Sequence, residues 1–212
     1  MTWDDFIALV PKIQKSPLPG EQLHYEMAAI ERLNILKDKA KLRNDVKVAA
    51  TMMLLYNFEN ETHFSLIKRK TSNTTHSGQI AFPGGKFEAS DQDTLTTAMR
   101  ETEEEIGVQR AIIQPIRSLT DIYIPPSNYK VFPYLGFTEN KQIFFKPQQS
   151  EVAAILSLKL KDLLSAKVEP CEVETRYFKK SVPAFRIDEV VIWGATAMVL
   201  NEVRALFKMH LF

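Results

Sequence analysis

Residues 82–107 read FPGGKFEASDQDTLTTAMRETEEEIG, and within them RETEEEIG (100–107) places four glutamates in five positions. A helical pattern covers roughly Asp91 to Ile106, with Ser90 as candidate N-cap and Gly107 as C-terminal stop. Advancing about 100° per residue, Leu95, Ala98, Met99, Thr102 and Ile106 share one stripe, which would bury against a sheet. Glu101, Glu104 and Glu105 share another, so their carboxylates can converge, whereas Glu103 projects to a different side. Like charges at this spacing destabilise a helix by ~0.2–0.5 kcal/mol per pair. They also sit near the end where the helix dipole disfavours negative charge. Two readings are open: an ordinary solvated acidic face, or a set of hard oxygen donors suited to Mg²⁺ or Mn²⁺ held together with substrate phosphates. The preceding FPGG ends a strand, and its glycines let the backbone turn sharply and bring a carbonyl toward whatever the helix holds.

Outward from this segment, VKVAATMMLLY and HFSLIKRK, separated by NFENET, read as two strands and a turn, and QIAF as a strand ending at Pro83. Downstream, SLTDIYI, KVFPYLGF and QIFFK read as strands, and GATAMVLNEVRALFKMHL as a final helix. Upstream, Trp3, Phe6, Ile7 and Val10 recur at helical spacing until Pro11, and a second helical pattern covers Gln22 to Lys41. Strand pairs alternating with helices predict a mixed α/β or α+β domain with helices on both sides of a sheet.

The chain has 212 residues, 45% hydrophobic and 25% charged, which suits one sizeable globular domain or a domain with an appended helical segment. A formal charge of +1 offers nucleic acid or a membrane surface no global attraction, so neither is an expected partner. Any anion must be met locally. The single cysteine, Cys171, cannot form an internal disulfide and reads as an inert thiol in a reducing compartment. The first residues carry Asp4 and Asp5 where a signal peptide would be basic, and no run of about 18 apolar residues occurs, so a cytoplasmic location is expected.

Taken together, Gly85, Asp91 and RETEEEIGV resemble the Nudix box, in which Gly, five residues, Glu and seven residues precede Arg-Glu, two residues, Glu-Glu, one residue, Gly and a hydrophobic residue. Arg100, Glu101, Glu104, Glu105, Gly107 and Val108 stand at the matching places. Asp91 replaces the first glutamate, eight residues separate it from Arg100, and Thr102 stands where a hydrophobic residue is usual. The segment LIKRKTSNTTHSGQIAFPGG also resembles the signature of the coenzyme A diphosphatase branch, through Leu66, Arg69, Gly78 and Phe82 to Gly85. Ser65, Ile67, Lys70 and Thr74 depart from it, and Thr74 stands where the signature has its second arginine. VVIWGATA is similar to that branch too, so the likeness runs from about Val46 to Ala197.

The resemblance implies a Nudix-type mixed sheet between helices, with residues 46–212 as a Nudix hydrolase domain and 1–45 as a helical segment packed on it. It also implies metal-assisted attack of water on a nucleoside diphosphate derivative. Coenzyme A or its thioesters are the expected substrates, with ADP-ribose or another nucleoside diphosphate as the alternative. Glu101, Glu104, Glu105 and the Gly85 carbonyl would hold the metal, with Arg100 orienting the glutamates by a bidentate pair. The base would be a box glutamate or Glu151 from a later loop. Arg69, Lys68, His76 and Lys86 are candidates for the phosphates, though alternation along a strand puts Arg69 opposite Lys68 and Lys70. Tyr123, Tyr129, Phe132 and Trp193 are candidates for base stacking or for the core. A homodimer is allowed. A silent ligand-binding regulator is the rival of another class, which the intact glutamates oppose. A prenyl diphosphate isomerase would need a reactive cysteine, which the acidic surroundings of Cys171 disfavour.

Overall fold

The computed structural model describes residues 1–29, 45–71, 78–140, 142–174 and 179–211. Two helices come first, α1 (Trp3–Lys15) and α2 (Glu21–Glu26). Next, β1 (Lys47–Phe58) and β2 (Glu61–Arg69) form a hairpin whose turn residues, Glu59 and Asn60, both have positive φ, 51° and 61°. That geometry matches the twist of the flanking strands. The two strands pair only from Phe58↔Glu61 back to Leu55↔Phe64 and then diverge. The FPGG segment fills the fork: β3 (Ile80–Ala81) bonds to β2, β4 (Gly84–Lys86) bonds to β1, and Met52 N donates to Pro83 O at 3.0 Å.

Helix α3 (Thr94–Ile106) follows, then β5 (Gln114–Ser118), β6 (Ile122–Ile124) and β7 (Tyr129–Thr138). β7 runs parallel to β1 along its length, and both β5 and β6 pair antiparallel with β7. β8 (Val152–Lys159) closes the other side by pairing with β2, with a register shift between Lys68 and Arg69. After α4 (Leu160–Ser165), a separate antiparallel sheet forms from β9 (Val168–Glu174), β10 (Lys179–Ile187) and β11 (Val190–Trp193), leading into α5 (Gly194–Lys208). Cys171 is buried in this small sheet.

Strand alternation sends Met53, Leu55, Phe64, Leu66, Leu135 and Phe137 to one face, where α1 and α5 cover them. Ala50, Met52, Leu54 and Ile67 line the opposite face beneath Ala98 and Ile106 of α3. The expected mixed sheet between helices is therefore present. Among the described residues no helix is long and apolar enough to cross a membrane.

Several details differ from expectation. α1 continues through Pro11, because its buried stripe of Trp3, Phe6, Leu9 and Ile13 runs on past the proline. The second helical pattern is realised over Glu21–Glu26, and its part within 30–44 lies outside the described residues. Gln142–Lys146 is not a strand, since its main chain is spent on the end of α3: Lys146 N donates to Ile106 O at 2.9 Å and Gln148 N to Glu105 O at 3.0 Å. These bonds satisfy carbonyls that a helix terminus leaves free.

Candidate functional site

The N-cap of α3 is Asp93, whose Oδ1 accepts from Thr96 N at 2.7 Å; Ser90 lies in the loop before it. Gly107 closes the helix at φ +77°, as expected. Ala98, Thr102 and Ile106 are fully buried, and Thr102 Oγ1 satisfies itself on Ala98 O at 2.7 Å. With that stripe on the sheet, Glu101 and Glu105 point into the fork and meet the two glycines. Gly84 N donates to Glu105 Oε2 at 2.8 Å. A Cβ on Gly84 would stand 2.6 Å from Thr51 Cγ2, and one on Gly85 would fall inside the Glu101 carboxylate. Only glycine permits this approach. Glu103 leaves the site to pair with Arg110 Nε at 3.0 Å.

Arg100 is fully engaged. Its fork closes on Asp91, with Nε 2.9 Å from Oδ1 and Nη2 3.0 Å from Oδ2, so the bidentate partner is the aspartate and not a glutamate. Nη1 reaches Glu101 Oε1 at 3.0 Å and Glu104 Oε2 at 3.2 Å, and Nη2 also donates to Lys86 O at 3.0 Å. Asp91 is 7% exposed and also accepts from Glu88 N and Thr97 Oγ1. The Arg100 guanidinium holds its carboxyl well below the usual range, and Asp91 in turn pushes the guanidinium up. Sequence reading gave Asp91 a place in the motif but no role. The pairing depends on how the loop before α3 folds back, which spacing alone does not set.

Glu105 is the most perturbed carboxylate. Burial pushes it up to about 7, against the bond from Gly84 and the charge of Arg69. Its Oε1 is buried with no hydrogen-bond partner. Arg69 Nη1 lies 3.8 Å away, and Nη2 lies 3.7 Å from Glu151 Oε2. Glu151 is fixed by its main chain: Lys70 N donates to its carbonyl at 2.7 Å and its own N–H donates to Gln148 O at 3.1 Å. Glu101 is raised by burial as well, with Arg100 opposing. Glu104 keeps a side-chain exposure of 49% at the mouth.

The structure thus brings together Glu101, Glu104, Glu105, Gly85, Arg100, Arg69 and Glu151. It does not bring Lys68, which alternates onto the Phe64 and Leu66 face with its side chain away from α3. From Lys86 the group at the site is the backbone carbonyl on Arg100. His76 and Thr74 lie outside the described residues. Tyr123, Tyr129 and Phe132 belong to β6 and β7, across β1 from Arg69, and Trp193 is the N-cap residue of α5.

The donor set fits a hard divalent cation. Glu105 Oε1 is a buried carboxyl oxygen without a hydrogen-bond partner, and its ionised form is costly unless a cation neutralises it. Glu101 and Glu104 each spend one oxygen on Arg100 and keep the other. Among the described residues no three such groups already converge to metal-holding distances.

A model of the NUDIX domain matches residues 46–176 of the chain. Nudix hydrolase 22, chloroplastic, of Arabidopsis thaliana is 28% identical over 179 residues, spanning 81% of this chain and 59% of that protein. The uncharacterized Nudix hydrolase NudL of Yersinia pestis is 29% identical over 139 residues, 65% of this chain and 69% of that protein. The chain spans about three fifths of the length of the plant relatives it matches. Among solved structures, the Nudix hydrolase RenU of M. smegmatis superposes with a TM-score of 0.54 at 10% identity, covering 78% of this chain and 88% of that one, a likeness of fold.

Proposed function

This chain belongs to the NUDIX domain family, and on that premise we propose that it hydrolyses the diphosphate of a nucleoside diphosphate derivative with the help of a divalent cation. The observation that carries the reading is Glu105 Oε1, a carboxyl oxygen buried in the fork beside Glu101 with no hydrogen-bond partner. Glu101, Glu104 and Glu105 would hold Mg²⁺ or Mn²⁺ with the Gly85 carbonyl. A bound divalent ion supplies charge neutralisation at the phosphate oxygens and makes water a better nucleophile. The chain's own groups do the rest. Arg100 keeps Glu101 and Glu104 aimed from the Asp91 anchor. Glu151, half-exposed and with its main chain held by Lys70 N and Gln148 O, would take the water's proton, with a box glutamate as the alternative base.

Within that class, coenzyme A or a thioester of it is the substrate we favour, giving phosphopantetheine and adenosine 3′,5′-bisphosphate. Support comes from Arg69, Gly78 and FPGG at the branch's spacing, and from the meeting of its two separate segments: Thr196 of WGATA donates from Oγ1 to Ile80 O at 2.9 Å. Incubation with coenzyme A, its form lacking the 3′-phosphate, and ADP-ribose, each with Mg²⁺ and Mn²⁺, tests both levels by release of phosphate monoesters. The complete coenzyme should react about tenfold faster than the truncated one, equivalent to ~1.4 kcal/mol. Equal rates on both, with ADP-ribose faster, would replace coenzyme A by the nucleoside diphosphate sugar.

A further inference from the structure

The two arginines at the site are held in different ways. Arg100 makes bonds of 2.9–3.2 Å and retains 13% side-chain exposure. Arg69 retains 30% and stands 3.8 Å from Glu105 and 3.7 Å from Glu151. Those separations exceed hydrogen-bond length, so its guanidinium neutralises two carboxylates without being locked to either. It also follows the register shift between β2 and β8, an irregularity of the kind that re-aims a side chain beside a site. Among the described residues, Arg69 is the cation within ion-pair reach of Glu105 Oε1, the buried oxygen that has no hydrogen bond.

We propose that Arg69 is an internal counterion: in the metal-free protein it stands in for the divalent cation between Glu105 and Glu151, and when the cation binds it is released toward the substrate's diphosphate. This rests on the metal-dependent diphosphatase reading above. A guanidinium and a divalent ion cannot both crowd one carboxylate oxygen without mutual repulsion. A diphosphate offers the displaced fork a bidentate acceptor of matching shape. One side chain then offsets part of the charge of the buried Glu105 before the metal arrives and answers the substrate's charge afterwards. Arg69 is in this view more than the phosphate ligand that its place in the sequence suggests.

The test is Mn²⁺ binding to the full chain without substrate, followed by the electron paramagnetic resonance signal of free Mn²⁺. Arg69→Gln should bind Mn²⁺ about fivefold more tightly than wild type, because the competing charge is gone. Arg69→Lys, which keeps the charge, should stay within about twofold of wild type. In the same preparations Arg69→Gln should raise KM for the diphosphate substrate about tenfold or more. Unchanged or weaker Mn²⁺ binding by a folded Arg69→Gln protein overturns the counterion role and leaves the diphosphatase reading standing. Absence of Mn²⁺ binding by wild type and variant alike overturns that reading and the counterion role with it.

Discussion

At the scale of single residues, the site depends on what burial does to charge. Burial pushes Glu105 up to about 7 from an ordinary 4.5. Between those values the folded, metal-free protein carries a proton that the unfolded chain has lost, so stability falls as pH rises through that window. Full ionisation costs roughly 3 kcal/mol. Glu105→Gln is therefore expected to stabilise the EDTA-treated protein by up to that amount at about pH 8 and very little at about pH 4, read from urea titrations. A gain that did not vary with pH would locate its origin elsewhere. Asp91 has the opposite sign: its carboxyl lies below the unfolded value, so its contribution is present above that value and is lost only on strong acidification. Arg100→Lys keeps the charge but loses the planar fork on Asp91, and should cost about 2 kcal/mol while weakening Mn²⁺ binding more than substrate binding. The reverse ranking in paired titrations would place Arg100 on the substrate. The glutamates' convergence was legible because helical spacing alone sets it. The Asp91 partnership was not, because it depends on how the loop before α3 folds back.

At the scale of elements, the critical join is between α3 and the Gly84–Gly85 strand. Gly85→Ala drives a methyl group into the Glu101 carboxylate, and is expected to abolish the proposed metal-dependent turnover while leaving the circular dichroism spectrum native. At the other end of α3, Gly107→Ala meets both a left-handed backbone and Lys146 Cβ at 2.8 Å, which should cost about 1–2 kcal/mol of unfolding free energy. Hydrophobic pattern was enough to read β1, β2, β7, α3 and α5. It gave no account of β8 to β11, whose mixed exposure blurs alternation, as in β9 with its exposed Glu169, Pro170 and Glu172. QIFFK shows why pattern alone misleads: Ile143 and Phe145 do pack inward while Phe144 is 81% exposed, yet the backbone bonds to a helix end. The expected N-cap, Ser90, is not the one used, because the helix begins at Thr94 with Asp93 as the accepting residue and Asp91 is taken by Arg100.

At the scale of the whole molecule, the first helices are continuous with the main core. Phe6 is fully buried and stacks on Phe207 of α5 at 6.2 Å, and His24 Nε2 meets the buried Glu202 of the same helix at 3.0 Å. Phe6→Ala should cost about 3–5 kcal/mol, and truncation before Val46 should leave a chain without a cooperative thermal transition. A truncated chain that melted cooperatively near the intact one would make residues 1–45 a true appendage. The fork between β1 and β2 has a further consequence, in the rate at which amide protons leave. The ladder from β1 to β7 extends from Lys47 to Tyr56, whereas the fork is closed by strands of only two and three residues. Short ladders open locally at small free-energy cost, so amides of residues 79–87 should trade hydrogen for deuterium well before those of β1. Gly84 belongs to this segment, and its amide ends on Glu105. Mg²⁺ drawn to that carboxylate should therefore slow exchange in the segment that exchanges first, and leave the β1 amides as they were.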